Sequence, residues 1–200
     1  MRRVTVFVLL SIAAATAADK DTHHFAPGPA SSYATHQTLD QITIAAVPFL
    51  TDEETSMAFD KLNPNKYGVL PVLVIMENGT GKALRLNLKA EFVRADGKHI
   101  DATPPEDVQR LATAPKAPRI GGASPLPIPL PGRNKKGPLN VFEIEGYAFA
   151  AKLLPVGERA FGFFYFQTES EPGARLYLTG VKDASTGKDF FYYDLPLDKQ

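Results

Sequence analysis

Four histidines are the residues of this sequence best suited to bind a metal ion or to transfer a proton. Three of them, His23, His24 and His36, fall in an N-terminal stretch without hydrophobic periodicity. A closed metal site needs three or four ligands in fixed geometry, so we interpret these three as incidental. His99 lies two residues before Asp101, which would allow a hydrogen bond between their side chains. Because no nucleophile-elbow serine accompanies His99, we interpret it as a surface residue.

Paired carboxylates, which glycoside hydrolases use, occur at Glu53-Glu54, at Glu106-Asp107 and at Glu143 with Glu145. The first two pairs are expected in the first turns of helices, where negative charge favours the helix dipole. Nothing in the sequence places the third pair on opposite sides of a sugar-binding cleft. A hydrolase is therefore the least favoured of the functions considered.

The glycine-containing stretch at residues 78–82 partly matches two known motifs. Gly79-Thr80-Gly81-Lys82 lacks the remaining residues of a phosphate-binding loop, because Met76 and Ala83 occupy the positions of the first glycine and the hydroxyl residue. We interpret this stretch as a hairpin turn. The overlapping Asn78-Gly79-Thr80 is a formal glycosylation sequon, relevant only in a eukaryotic secretory pathway.

Asp183, Ser185, Gly187 and Asp189 alternate as in a calcium loop, but the glutamate of such loops is missing at its position. A turn is the favoured interpretation.

The chain also has no cysteine, which excludes disulfides, thiolate zinc sites and a cysteine nucleophile. The sequence thus predicts no catalytic residue, no metal and no cofactor.

Composition and charge narrow the class of protein further. The 200 residues include 44% hydrophobic and 22% charged residues, as in an ordinary globular domain. Lysine plus arginine and aspartate plus glutamate are balanced at 22 each, which argues against attraction to nucleic acid or to an anionic membrane.

The N-terminus has the three parts of a secretory signal peptide. Met1-Arg2-Arg3 is a positive region, residues 4–15 are an apolar run, and Ala15-Thr16-Ala17 is a small-residue cleavage site. The apolar run falls short of the roughly 20 residues that span a bilayer. We predict cleavage near Ala17, export to the periplasm or the extracellular space, and no membrane span in the mature chain.

Residues 18–38 are predicted to form a flexible leader, because they combine Ala26-Pro27-Gly28-Pro29 with no hydrophobic period. A single domain is expected over residues 39–200. Its first strand is predicted at residues 41–49, followed by a capping box of Thr51 and Glu54 and a helix to about Leu62.

Alternation of side chains predicts the next strands. Residues 69–78 are apolar on both faces, which is typical of a strand covered on both sides. Residues 84–93 alternate between apolar and polar, so one face is expected in the core. A hairpin at Asp96-Gly97 leads to a strand at 99–102, and a helix is predicted to end near Leu111.

Residues 114–138 form a basic, proline-rich insert with seven prolines, five basic residues and no acidic ones. Such a segment favours an extended course and is either a long surface loop or a linker. After signal-peptide removal the chain carries 20 basic and 22 acidic residues, so the insert holds about +5 and the rest about −7. The speculative binding residues are the basic side chains of the insert: Lys116, Arg119, Arg133, Lys135 and Lys136.

The C-terminal third supplies most of the aromatic core, since 13 of the 20 aromatic residues follow Leu139. A helix is predicted over residues 140–154, and strands over 158–168, 175–181 and 189–195. Phe163 and Tyr165 are expected on one face of their strand and Phe164 on the other, so that strand needs cover on both sides.

These elements predict a mainly β protein, an Ig-like antiparallel β-sandwich with two or three short helices and the proline-rich loop. The alternative is an open antiparallel sheet with helices on one face. The run from Leu70 through Asn78-Gly79-Thr80-Gly81-Lys82 to Asp96-Gly97, together with the strand Gly162–Phe166, resembles secreted bacterial Ig-like domains of unknown function. The resemblance implies a fold rather than an activity.

Two non-enzymatic functions follow as hypotheses. In the first, the exported domain binds a protein or another envelope component, with the basic insert as one contact. In the second, it is a carbohydrate-binding module whose strand tyrosines stack on sugar rings. The tyrosines considered for that platform are Tyr147, Tyr165, Tyr177, Tyr192 and Tyr193.

Overall fold

The computed structural model describes residues 25–111, 137–139 and 141–198. The predicted signal peptide, His23, His24 and all five basic residues of the insert lie outside these ranges. Within them the chain is mainly β, with two antiparallel sheets and three short α-helices. The strands are β1 His36–Leu39, β2 Ile42–Pro48, β3 Leu70–Asn78, β4 Leu84–Val93, β5 His99–Asp101, β6 Leu153–Leu154, β7 Arg159–Phe166, β8 Arg175–Asp183 and β9 Tyr193–Pro196. The helices are α1 Asp52–Phe59, α2 Pro105–Leu111 and α3 Phe142–Gly146.

Sheet 1 has the strand order β1-β2-β3-β7, and sheet 2 has the order β5-β4-β8-β9 with β6 paired to one end of β4. All these pairs are antiparallel. The chain therefore changes sheet three times, between β3 and β4, between β6 and β7, and between β7 and β8. This arrangement is consistent with a β-sandwich.

Two hydrophobic clusters hold the elements together. The inner cluster joins the facing sides of the two sheets, for example Val72 of β3, Phe92 of β4 and Leu178 of β8, all fully buried. The outer cluster lies on the other side of sheet 1, where Phe59 of α1 and Ile144 of α3 pack against its aromatic residues. Sheet 1 is thus covered on both faces, which is why β3 is apolar on both sides.

Local signals account for most of the predicted elements. The Thr51 hydroxyl accepts a hydrogen bond from the Glu54 amide at 3.1 Å, and the Glu54 carboxylate accepts one from the Thr51 amide at 2.8 Å, which confirms the capping box. The helix ends at Phe59, earlier than predicted, because Asp60 has a φ of 53°. The split of aromatic side chains along β7 is also confirmed, since Phe163 belongs to the outer cluster and Phe166 to the inner one.

The prediction of a flexible leader is wrong for residues 25–38. The Phe25 ring contacts those of Phe49, Tyr147 and Phe163 with centroids 5.6–5.9 Å apart, and the Phe25 amide donates to the Tyr147 hydroxyl. Ala30 is fully buried. Residues 36–39 form β1 at the edge of sheet 1. These contacts are remote along the chain, so a local sequence pattern does not reveal them.

The helix predicted over residues 140–154 is wrong beyond Gly146. Residues after α3 pair with β7 instead: the Phe163 amide donates to the Tyr147 carbonyl at 2.7 Å, and the Phe149 amide donates to the Phe163 carbonyl at 3.0 Å. A Cβ atom on Gly162 would lie 2.4 Å from the Phe149 Cα atom, so only glycine allows this approach. The last two predicted helical residues form β6.

Candidate functional site

Three of the five tyrosines considered for a sugar platform serve in packing. Tyr165 and Tyr193 are each 1% exposed, and Tyr147 is half-buried in the outer cluster. The Tyr165 hydroxyl donates to the Ile144 carbonyl at 2.8 Å, and burial raises the pKa of Tyr165. Burial, together with the charge of Asp40, raises the pKa of Tyr193 to about 12. These tyrosines cannot form a sugar-binding surface.

The other two tyrosines lie with His99 on the outer face of sheet 2, and we call these three residues the aromatic patch. The Tyr177 and Tyr192 ring centroids are 5.1 Å apart with planes tilted by 32°. The His99 ring meets Tyr177 edge-on at 6.2 Å. Tyr192 is 53% exposed, and Tyr177 is half-buried between its neighbours. The patch is therefore a compact group of contacting rings rather than a coplanar row.

Strand register explains why these residues meet. Tyr177 stands between the buried residues Leu176 and Leu178 of β8, so its side chain points away from the inner cluster. Tyr177 is opposite Glu91 of β4 on one side and Asp194 of β9 on the other. His99 of β5 pairs with the next residue on the same face of β4, Val93. Side chains from separate strands thus come together on one side of the sheet.

A network of charged side chains borders the aromatic patch. The Glu91 carboxylate bonds to the Lys89 ammonium and lies 2.6 Å from Nδ1 of His99. Lys89 also lies 3.3 Å from the Asp101 carboxylate. The hydrogen bonds of Glu91 to Lys89 and then to His99 lower the pKa of Glu91, whereas the bonds of Lys89 to Glu91 and Asp101 raise the pKa of Lys89.

On the opposite side of the patch, Arg175 Nη2 lies 2.7 Å from the Asp194 carboxylate. Arg175 begins β8, the strand that carries Tyr177, and Asp194 of β9 lies two residues after Tyr192. The patch therefore has an aromatic centre and a rim of paired charges.

The sequence would allow a hydrogen bond between His99 and Asp101, but the partner of His99 in the structure is Glu91. A histidine paired with a carboxylate can act as a general base toward a nearby nucleophile. The lowered pKa of Glu91 keeps this carboxylate ionised, which makes it a hydrogen-bond acceptor rather than a proton donor. The arrangement orients His99 without itself defining a reaction.

The other candidate groups have structural roles where they are described. Asp183 Oδ1 accepts bonds from the amides and hydroxyl of the turn that follows, and its Oδ2 lies 2.9 Å from the Lys82 ammonium. These bonds confirm the predicted turn. Asn78 donates to three carbonyls, those of Lys82, Leu154 and Pro155, and so fixes the hairpin before β4. In the described ranges, no three histidine or acidic residues lie close enough to hold a metal ion.

A cleft with a volume of about 560 Å³ lies beside the charged network. Its lining includes Lys89 and Asp101 from the rim of the patch, and continues to Phe149, Phe164 and Tyr165. His99 is on the neighbouring face rather than in the cleft lining. The sequence analysis predicted neither the charged network nor the cleft. The network depends on strand register, and the cleft depends on the position of the segment after α3.

Comparison with known proteins adds no further assignment. No protein-family model matches the chain, and no curated protein is similar to it at the level of sequence. Among the residues that the structure describes, there is no helix with the length and apolar character needed to cross a membrane.

Proposed function

We propose that this chain is an exported, non-enzymatic Ig-like domain that binds a protein or another component of the bacterial envelope through the aromatic patch. The observation that carries the proposal is the exposed group of contacting rings on the outer face of sheet 2. The described helices pack against sheet 1 through buried side chains such as Phe59, Val108 and Ile144, so they leave the outer face of sheet 2 open.

Strand order supports the Ig-like part of the proposal. In Ig domains strands A, B and E are neighbours in one sheet, and C, F and G are neighbours in the other. The series β2-β3-β7 and β4-β8-β9 have the same connectivity, with β5 in the place of the additional strand beside C. The helical layer over sheet 1 is an addition to that plan.

The composition of the patch favours a protein partner. Tyrosine and arginine are enriched at the energetic centres of protein interfaces, where surrounding polar groups exclude water. Tyr177 and Tyr192 supply the aromatic centre, and Arg175 is held in place beside them by Asp194. Rings that already pack against one another lose little conformational entropy when a partner covers them.

Carbohydrate binding is the second candidate, favoured by the exposure of Tyr192 and by the neighbouring carboxylates, which could accept hydrogen bonds from hydroxyl groups. Against it, a ring that faces another ring at 5.1 Å offers only its remaining side to a sugar.

The basic residues of the insert, from Lys116 to Lys136, are retained in the proposal as a second contact for an acidic partner.

Export is tested by the N-terminus of the mature protein. Cleavage after Ala17 would remove no described residue and would keep Phe25 in the outer cluster. N-terminal sequencing of the protein recovered from the periplasm or the medium should begin at Ala18. A cytoplasmic protein that retains Met1-Arg2-Arg3 would contradict the export proposal.

The binding proposal is tested by exchanging single exposed tyrosines. Purified wild type, Tyr192→Ala and Tyr67→Ala are immobilised and exposed to a solubilised envelope fraction from the source cells, and captured proteins and glycans are quantified. Tyr67 is 44% exposed in the turn before β3 and serves as the matched control.

We expect one component to be retained by wild type and by Tyr67→Ala, and at least a tenfold loss for Tyr192→Ala, as for an interface hot spot. Equal retention by all three proteins would remove the aromatic patch from the proposal. Retention of a polysaccharide alone would select the carbohydrate candidate.

A further inference from the structure

The cleft beside the patch is formed by an interruption in the pairing of β4. On one side of β4, β6 pairs with Leu84 and Arg85, while β5 pairs with the residues from Glu91 onward. A gap along β4 separates these two paired stretches. One end of the gap is closed by the hydrogen bond from the Leu86 amide to the Lys152 carbonyl, and the other by the bond from the Ala102 amide to the Ala90 carbonyl. At roughly 3.3 Å per residue, the four steps between Leu86 and Ala90 leave a gap of about 13 Å.

The walls of the cleft are mostly apolar and continue into the core. Of its 18 lining residues, 13 are apolar or aromatic, and they come from both sheets and from the segment after α3. The Phe149 ring stacks on that of Phe164 at 5.5 Å with only 12° between the planes. Leu88 and Ala151 of the lining also pack against the inner cluster. A ligand here would replace water on an apolar surface.

The charged residues of the lining balance one another. Lys89 and Lys152 carry positive charges, and Asp101 and Glu145 carry negative ones. Lys89 and Asp101 are themselves an ion pair at 3.3 Å. A ligand with a full net charge would meet both signs, so the rim favours hydrogen bonding by an uncharged polar group over binding of an ion.

The closed ends of the gap exclude an extended peptide as the occupant. Adding a strand to a sheet edge requires a free edge along which the peptide can continue, and β5 and β6 occupy the edge on either side. A small molecule has no such requirement. The volume of about 560 Å³ is within the usual range of small-molecule sites, and an apolar lining with a few polar groups is typical of them.

We infer that the cleft is a binding site for a small, largely apolar molecule that carries no net charge and has a polar group directed at the rim. The site shares Lys89 and Asp101 with the rim of the aromatic patch, but it does not depend on the function proposed for the patch. Phe149 and Phe164 would contact the apolar body of the ligand, and Lys89 and Asp101 would border its polar end.

The test uses N-phenyl-1-naphthylamine, an uncharged apolar dye, titrated into the mature protein while its fluorescence is followed. Ala150 lines the cleft and is exposed, so Ala150→Trp should obstruct the site without disturbing the core. Ala34→Trp adds the same side chain at an exposed position outside the cleft. Circular dichroism and thermal unfolding verify that both variants fold.

We expect saturable binding of one dye per chain, weakened at least tenfold by Ala150→Trp and less than twofold by Ala34→Trp. The anionic dye 1-anilinonaphthalene-8-sulfonate should bind at least fivefold more weakly than the uncharged dye. Absence of saturable binding, or equal affinity of both variants, would overturn the site. Equal or tighter binding of the anionic dye would overturn the assignment of an uncharged ligand.

Discussion

Sheet 1 and sheet 2 belong to one chain but differ in how their faces are covered. In β3 of sheet 1, every residue except Glu77 is buried, because the inner cluster covers one face and the helices cover the other. In β4 of sheet 2, buried residues such as Leu86 alternate with exposed ones such as Arg85. The covered sheet is the structural centre, and the sheet with an open face carries the side chains available to a partner.

This difference separates stability from binding. The large apolar side chains of β3 are buried, as are Phe163 and Phe166 of β7, so their substitution should act on folding. Aromatic side chains on the outer face of sheet 2 keep surface exposed, and their substitution should act on recognition. Four variants test this separation, beginning with the largest expected effect.

Phe163→Ala should have the largest effect on stability. The Phe163 ring is 1% exposed and has its centroid 4.9 Å from that of Phe49 and 4.8 Å from that of Phe59. Its removal leaves a cavity in the outer cluster, and we expect a loss of about 3–5 kcal/mol in the free energy of unfolding. Urea denaturation followed by circular dichroism measures the loss.

If Phe163→Ala does not fold, Phe163→Leu gives the same comparison with a smaller loss, because it keeps part of the side-chain volume. A change below about 1 kcal/mol for the alanine variant would contradict the central role assigned to the outer cluster.

Gly180→Ala should destabilise sheet 2 by about 3 kcal/mol. Gly180 has a φ of 92° at an irregularity in the pairing of β4 and β8, and an added Cβ atom would be 1.9 Å from the Asn87 carbonyl oxygen. Backbone strain and overpacking each contribute about 1–3 kcal/mol in such cases.

Gly81→Ala is the matched control for the glycine variant, because no atom of the described residues lies within 4 Å of its Cβ position and its φ is not positive. We expect its unfolding free energy to change by less than about 0.5 kcal/mol. Equal thermal unfolding curves for the two variants would show that the close approach at Gly180 is unimportant.

Asp183→Asn should change how stability depends on pH. Hydrogen bonds from Ser185, then from Lys82 and Thr186, hold the pKa of Asp183 well below its usual value. Since the folded state binds this proton less readily than the unfolded chain, the stabilisation is full at neutral pH and is lost as the pH falls below about 4. The variant should therefore unfold at a lower temperature than wild type at pH 7, with the difference shrinking toward pH 2.

Asp198→Asn, at an exposed position near the C-terminus, controls for the loss of one negative charge. It should follow the wild-type pH profile. A constant difference between Asp183→Asn and wild type from pH 7 to pH 2 would contradict the assignment of that stabilisation to the ionised carboxylate.

Tyr177→Ala should have the smallest effect on stability. Its side chain is half-buried, and among the described aromatic residues its ring contacts those of His99 and Tyr192, so we expect a loss of about 1 kcal/mol or less. Retention of the partner should nevertheless fall, because the ring that supports Tyr192 is gone. A loss comparable to that of Phe163→Ala would place Tyr177 with the structural residues.

Strands and caps could be predicted from sequence because their signals are local. Alternation in residues 84–93 and the spacing of Thr51 and Glu54 express geometry that neighbouring residues determine. The end of α3 and the packing of Phe25 could not be predicted, because both depend on contacts with β7, which lies far along the chain. Gly162 has no Cβ atom and therefore allows residues 147–149 to approach β7 closely and pair with it.

The aromatic patch could be predicted only in part, for the same reason. Tyr177 and Tyr192 were among the five candidate tyrosines, but sequence could not separate them from Tyr193, which is buried although it is adjacent to Tyr192. The pairing of β4 with β5 and β8 brings His99 to Tyr177 across 78 residues of sequence. Register, which sequence alternation does not determine between distant strands, creates the site.

Site-specific photocrosslinking tests the assignment of binding to the aromatic patch most directly. The photoreactive residue p-benzoylphenylalanine replaces Tyr192 in one protein and Tyr67 in another, and each is irradiated in the source cells. Both tyrosines are exposed, at 53% and 44%, but only Tyr192 belongs to the patch. We predict a discrete crosslinked product at position 192 and none at position 67. A product at position 67 with none at position 192 would contradict the assignment of binding to the open face of sheet 2.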